Sequence, residues 1–473
     1  MSQPQPTRGG RRTARRKSRL NLTTVLALLL PLLSVAVLLL VQTDEAGTTT
    51  HPPARTTLTT ATLVCPAALP DAPEVSLTTV ADDVDGSVGV GSGDDAKDAD
   101  LASGRVTSVD DPDAVAVTGE GDAAPGLVAG RGGGAEQAVA GCLPPAASQW
   151  FTGVGAGASH RSVLELTNPD AGTAVADVTV LGRNGVVDSP RLRGVSVPGG
   201  STVRLDLAAQ VPRTDELALE VVAARGRVGA ALVDRFDRPG RAALTQDWMP
   251  AETTPATSSL LPGLAPGKGK RTLAIANPGT DEVRAGIKVI DSESVFAPDG
   301  ADEIRIPPQS VKRVPVSSIV NEAVRQGALG LLVTSSGPVT TTLRSIVDND
   351  LSLATAGTAF ADEATVLVPE EPEEGSRAAE RRVVLAGATA AGTVTVVART
   401  AGGDRIRHTK VEVVPDRGKV VKVPARARLV AVLPARTSVT GAVLTSSRGG
   451  DSVLPLTVPV RNGLVPDVRP GLP

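Results

Sequence analysis

Aromatic side chains are almost missing: the 473-residue chain has no Tyr, four Phe and two Trp, 1% in all. Sugar-binding modules offer aromatic faces to pyranose rings, and single-strand nucleic-acid binders stack bases on them, so neither class finds its usual tools here. Histidine is equally scarce. His51, His160 and His408 are the only three, none beside a motif partner, and each reads as a solvent-exposed residue. With only Cys65 and Cys142 to add, they make a poor zinc set, and no cofactor is expected. Gly-rich pieces such as Gly89-Val90-Gly91 and Gly153-Val154-Gly155 fit neither phosphate-binding pattern, and the G-x-S-x-G elbow is absent. Net charge is only −3, but residues 1–19 hold seven basic side chains and no acid, which leaves −10 on everything after them. A body of that sign is a poor nucleic-acid binder, so no nucleic-acid partner is expected.

Glycine and proline are plentiful, 49 and 37 residues without a three-residue period, which disfavours long helical bundles and leaves turn-rich β-structure open. Arg8, Arg11, Arg12, Arg15, Arg16, Lys17 and Arg19 precede an uncharged run from Leu20 to Val41. At ~1.5 Å per residue that run spans ~33 Å, enough for the hydrocarbon core of a bilayer. Basic residues on one side predict an uncleaved single-pass signal anchor with the N-terminus in the cytoplasm and the bulk outside, its partner there being membrane lipid. Both cysteines then face an oxidising compartment, and a Cys65–Cys142 disulfide is expected.

After Trp150 an internal repeat emerges. Leu166-Thr167-Asn168-Pro169 returns as Ile275-Ala276-Asn277-Pro278, and Val197-Pro198 with Val203-Arg204-Leu205 returns in the same register as Ile306-Pro307 with Lys312-Arg313-Val314. A fainter third copy surrounds Val414-Pro415 and lacks Asn-Pro. Within a copy the apolar residues alternate, as at Val203, Leu205 and Leu207, which is the period of a half-buried strand. Arg183-Asn184-Gly185-Val186 signals a tight hairpin, and one short helix is expected at Ser318–Gln326. The fold class expected is mainly β: one N-terminal transmembrane helix, then tandem antiparallel immunoglobulin-like β-sandwich repeats, with propeller-like closure of the repeats as the alternative.

The expected organisation is a basic cytoplasmic tail (1–19), the transmembrane anchor (20–41), a Thr/Pro-rich stalk (42–64) and a disulfide-closed acidic, Gly-rich region (65–149). Three sandwich repeats (150–256, 257–364, 365–460) and a Pro-rich tail (461–473) follow. The acidic region is read as a few strands interrupted by a flexible loop across residues 82–113. Trp150, Phe151 and Trp248 stand near repeat boundaries and read as junction packing or a ligand contact. Acids that could form a catalytic pair are Asp234 with Asp237, Asp348 with Asp350, and Glu370, Glu371, Glu373 and Glu374, the last group reading as solvated linker charge. Asp83, Asp85 and Gly86 resemble part of a calcium loop but lack its third acid and its closing Glu.

The single N-terminal span, Cys65-Pro66, Trp150-Phe151, Asn168-Pro169 and Asn277-Pro278 together resemble an actinobacterial family of exported, membrane-anchored proteins defined only as a domain of unknown function. The likeness covers roughly residues 60–460 and implies a cell-envelope setting, with no catalytic residues to carry over. The function expected is a non-enzymatic, membrane-anchored, extracytoplasmic envelope protein whose sandwiches contact an envelope protein or polymer. The alternatives are an envelope-polymer hydrolase or transferase with a carboxylate pair, and a ligand-binding accessory subunit of an envelope biosynthesis or export complex.

Overall fold

The computed structural model describes residues 29–33, 35 and 54–465, apart from 71, 92–95, 134–137, 214–215, 238–243, 371–378 and 448. The expected tail 1–19, most of the expected span 20–41 and most of the stalk lie outside the described residues. No helix among the described residues is long and apolar enough to cross a membrane. Arg55–Gly463 make one compact unit.

That unit is antiparallel β-structure in open sheets, none of which closes on itself. One strand order occurs four times. Leaving aside the short strands Val195–Val197 and Ile304–Ile306, which pair with strand 3 of the second and third repeats, strands 1-6-3-4 of each repeat form one sheet and strands 5-2-7-8 the other. The repeats run from Thr60–Cys65 to Ala138–Gly141, from Ser148–Val154 to Thr245–Met249, from Ala256–Pro262 to Asp350–Thr355, and from Ala364–Leu367 to Asp451–Pro455. In the third, strands 6 and 7 are one 18-residue strand, Gly330–Val347, shared by both sheets. Each pair of sheets shares an apolar cluster; in the second repeat Leu164, Leu166 and Leu232 of one sheet pack with Val178, Val180 and Leu219 of the other. Period-two alternation fixes which side faces in, as in Ala174–Gly182 and Gly392–Arg399, whose inner positions are buried.

The repeated Asn-Pro has a physical cause. Asn168 Nδ2 donates to the carbonyls of Gly172 (2.7 Å) and Val197 (3.0 Å) while its Oδ1 accepts from Asp170 N–H (3.0 Å). Asn277 repeats this with Asp281 (2.7 Å), Pro307 (3.0 Å) and Gly279 (2.9 Å). Each buried amide thus staples the turn after strand 2 to the segment before strand 5. The neighbouring Gly199 is obligatory, because a Cβ there would lie 1.9 Å from the Ala171 carbonyl oxygen.

The acidic region departs from expectation. Instead of a few strands around a flexible loop it completes a fourth two-sheet repeat, with residues 92–95 outside the described set. Its aspartates alternate with apolar residues: along Lys97–Ala102, Asp98 and Asp100 are exposed while Ala99 and Leu101 are buried. Acid count hid a strand period. The expected helix is present as Ser317–Arg325, and an unforeseen four-residue helix, Leu207–Gln210, stands in the second repeat with Asp206 accepting from Ala208 N–H at 3.0 Å. The hairpin turn is Arg183-Asn184, closed by the Gly182–Gly185 pair, one residue earlier than the Asn-Gly signal suggests.

The eighth strands meet at the centre. Ala138–Gly141 packs on Thr245–Met249, that on Asp350–Thr355, that on Asp451–Pro455, and the last returns to Ala138–Gly141, so the four repeats close into a ring. The closing seam, between fourth and first repeats, buries Val128 with Leu367 and Leu429, and Arg428 reaches across to Ser76 Oγ at 3.1 Å. Cys65 and Cys142 are joined in a disulfide 77 residues apart, tying the end of strand 1 in one sheet of the first repeat to the residue after strand 8 of the other. Replacing both cysteines by Ser is expected to lower stability by roughly 2–4 kcal/mol. Denaturant melts with and without a thiol reductant test this: the wild type should lose the same amount on reduction and the double variant should not respond.

Candidate functional site

The residues singled out by sequence disperse over the seams. Next to the disulfide, Ala67 is held twice by the second repeat: its N–H donates to Glu165 Oε2 (2.9 Å) and its carbonyl accepts from Trp248 Nε1 (3.1 Å). Trp248 packs there with Leu69, Ala72, Ala138 and Val233. Trp150 packs with Leu181 and Ala218 of its own repeat and Ala276 and Val311 of the third, while the adjacent Phe151 points to the opposite face of the strand, into the core of the second repeat.

The acid pairs do not assemble. Asp234 is buried and Asp237 exposed; Asp348 is exposed, and Asp350 is buried, accepting from Asp451 N–H at 2.7 Å. Glu370 pairs with Arg428 at 2.6 Å, and Glu371, Glu373 and Glu374 lie outside the described residues. Among the described residues no cluster of three or more His, Cys, Asp or Glu could hold a metal ion, around Asp83 and Asp85 included. His51 is outside the described set and His408 is exposed.

His160 is the correction. Far from being solvent-exposed, its ring is 13% accessible and lies at the seam of the second and third repeats. Nε2 is 2.9 Å from Asp234 Oδ1, Nδ1 is 3.2 Å from Glu216 Oε2, and Glu216 also receives Arg344 of the third repeat at 2.6 and 3.1 Å. Burial alone would lower the imidazolium pKa, but the charge and hydrogen bond of Asp234, with Glu216 behind them, raise it to about 9. Burial would raise the Glu216 pKa, but the hydrogen bond from His160 and the charge of Arg344 bring it down to about 2. Arg344 Nη1 also lies 3.0 Å from both His160 ring nitrogens, and the half-exposed Arg313 is 3.5 Å from Glu216. Ser162, two residues along the same strand and on the same face, completes the residue types of a catalytic triad but not its wiring. Its hydroxyl donates to Asp234 Oδ1 (2.6 Å) and accepts from Gly155 N–H (2.8 Å), and a histidine already protonated is no general base. The signal available in sequence was the His-x-Ser spacing, which in a strand places both side chains on one face.

At the centre of the ring lies a cavity of about 780 Å³ walled by all four repeats, within the usual range for small-molecule sites. Val64 and Ala140 come from the first, Trp248 and Met249 from the second, Leu260 and Leu332 from the third and Leu454 from the fourth. The linker residue Glu252 also lines it, 6% exposed. Its backbone exchanges hydrogen bonds with Trp150 (2.7 and 3.0 Å), and its carboxyl accepts from Thr341 N–H at 2.9 Å. Burial pushes its pKa well above the usual carboxyl range, and that one N–H only partly opposes the shift. Sequence reasoning missed Glu252; an acid ending the apolar stretch Trp248-Met249-Pro250-Ala251 was the available sign.

A family model matches residues 103–424, more than half of the chain. The chain belongs to DUF5719, a family of unknown function. The DUF5719 match begins before the fifth strand of the first repeat and ends after Lys419–Val423, the fifth strand of the fourth, so it takes in both complete middle repeats and the His160 seam. No curated protein matches the chain.

The seam's charges set a pH dependence. A raised His160 pKa stabilises the fold fully below about 6.5, and this is lost as pH rises through about 9; a depressed Glu216 pKa stabilises above about 4.5, and this is lost as pH falls through about 2. Unfolding free energies of the wild type from urea melts should therefore fall between pH 6.5 and 9.5, by on the order of 3 kcal/mol, and this fall should flatten in His160→Gln. Arg344→Met, which strands Glu216, should cost about 3–5 kcal/mol near neutral pH; a loss under ~1 kcal/mol would mean the pair is not buried as described.

Proposed function

We propose that this chain is a membrane-tethered, extracytoplasmic, non-catalytic envelope protein. Residues 20–41 anchor it, and four immunoglobulin-like β-sandwiches, closed propeller-fashion into a ring, present their outer sheets to an envelope protein or polymer. The observation that carries the extracytoplasmic placement is the Cys65–Cys142 disulfide, because such bonds persist in oxidising compartments and are rare in the cytosol. The non-catalytic reading is supported by the His160 seam, where every polar group of the triad-like set is taken up by another.

One observation favours the hydrolase or transferase reading: Glu252 is a buried acid on a cavity wall whose pKa burial pushes well above the usual carboxyl range, the direction a general acid needs. Against it, the second acid on that wall, Asp416, is exposed.

The test is photo-crosslinking in intact envelopes from outward positions such as Arg407 and Lys410, both exposed on strand Arg405–Val413. A discrete protein or polymer adduct is expected, and protease added outside should cut beyond residue 42 while sparing 1–19. Capture of lipid alone, or protection of the cysteine-bearing repeat from external protease, would sink the reading.

A further inference from the structure

Edge strands are where a β-protein can add another chain, and the four repeats treat theirs in two ways. In the second and third repeats strand 4 is only Gly185–Val187 and Val295–Phe296, and a further short strand, Val195–Val197 or Ile304–Ile306, pairs beside it on strand 3. Such short edges leave little ladder to extend. The first and fourth repeats have no such second strand among the described residues, and their strand 4 runs for six residues, Lys97–Ala102, and nine, Arg405–Val413. Each pairs on one side only, with Asp85–Val90 and Gly392–Arg399. Among the described residues no hydrogen bond from a side chain or loop reaches the backbone of Lys97–Leu101 or Arg405–Val413.

What guards these two edges is charge, and its sign differs. Residues 60–141 hold fifteen acids and three bases, whereas residues 364–455 hold nine acids and fourteen bases. Along Lys97–Ala102 the core takes Ala99 and Leu101, and Asp98 and Asp100 are exposed on the other face. Along Arg405–Val413, His408 and Lys410 lie opposite Val397 and Thr395, on the face turned away from the buried Val394 and Val396; Arg405 and Arg407 are exposed as well. None of Asp98, Asp100, Arg405, Arg407 and Lys410 has an ion-pair partner among the described residues. Like charges set edge to edge repel, which opposes pairing of either strand with its own counterpart, whereas the acidic edge and the basic edge attract.

We propose that Lys97–Ala102 of one copy adds antiparallel to Arg405–Val413 of a second, with the backbone ladder supplying affinity and charge the choice of partner. The register that sets Asp98 opposite Lys410 sets Asp100 opposite His408 and keeps Ala99 and Leu101 on the core side with Thr409 and Arg407. The contact is heterologous, so copies join head to tail into a ring or a row. This deepens the partner reading given above and rests on it for the meeting of these copies in the envelope.

The experiment mixes light and heavy-isotope full chain in dodecyl maltoside and applies a carbodiimide, which joins a carboxylate to an amine in contact with it. Mixed-isotope crosslinks between a peptide carrying Asp98 or Asp100 and one carrying Lys410 are expected, and sedimentation velocity should show dimers and longer species that dissociate at high salt. Asp98→Lys with Asp100→Lys, and separately Arg407→Glu with Lys410→Glu, should each weaken self-association by about tenfold or more; all four positions are exposed. Mixing the two variants should restore association, since each then offers the charge that the other lacks. A wild type that is monomeric at low salt, homotypic crosslinks, or reversed variants that associate alone or fail to associate together would each overturn the proposal. A chain that stays monomeric yet still gives a protein or polymer adduct from Arg407 in intact envelopes would end this assignment and leave the partner reading standing.

Discussion

Each repeat ends on an edge strand, and an uncovered edge is a row of unpaired backbone groups and half-covered apolar side chains. The ring is the answer to that constraint. The four eighth strands shield one another at the centre, so no repeat has to bury its last strand alone. Closure also explains how a chain so poor in aromatics holds together: the aliphatic clusters inside the repeats are supplemented by smaller ones at the seams, around Trp248, Trp150 and Val128. Close approach is written into single residues. A Cβ on Gly153 would lie 2.8 Å from Ala274 across the second seam, and one on Gly229 would lie 2.6 Å from Val64 across the first.

Charge is used differently inside repeats and between them. Arg271, fully buried in the third repeat, spends its guanidinium on neutral acceptors: the Ala265 and Gly267 carbonyls, each at 2.8 Å, Ser345 Oγ and Asn321 Oδ1. Arg131 does likewise in the first repeat with the Pro73, Asp111 and Asp113 carbonyls, and burial lowers its pKa to about 10. These arginines satisfy loops that no ladder reaches. At the seam of second and third repeats the pairing is ionic and balanced, His160 and Arg344 against Glu216 and Asp234. Desolvation makes such a set costly to break from one side only, which favours one register of the two repeats over its neighbours.

Much of the fold was legible because its signals are local. Strand alternation, the Asn-Pro staple and the paired Val-Pro and Ile-Pro loops mark the second and third repeats, and the disulfide joins the only two cysteines in the sequence. The first repeat was hidden because several of its outward positions are aspartates, Asp98 and Asp100 among them, which resembles a solvated loop when composition is counted before period. The site was far less legible. Val64, Trp248, Leu332 and Leu454 are brought to one cavity only by ring closure, and no spacing in the chain encodes a contact made by four repeats at once. His160 was misplaced for the same reason: Arg344, one of the charges around it, belongs to another repeat.

The compact unit begins and ends at one place. Leu58 N–H donates to the Arg461 carbonyl at 3.1 Å, and Gly126 N–H to that of Val460 at 3.0 Å. Entry and exit are therefore adjacent on the seam between first and fourth repeats, where a single linker would bridge them. In a circle of like parts the starting point carries no special information, so a permuted chain opened between two other repeats and joined across Leu58 and Arg461 would enclose the same interior.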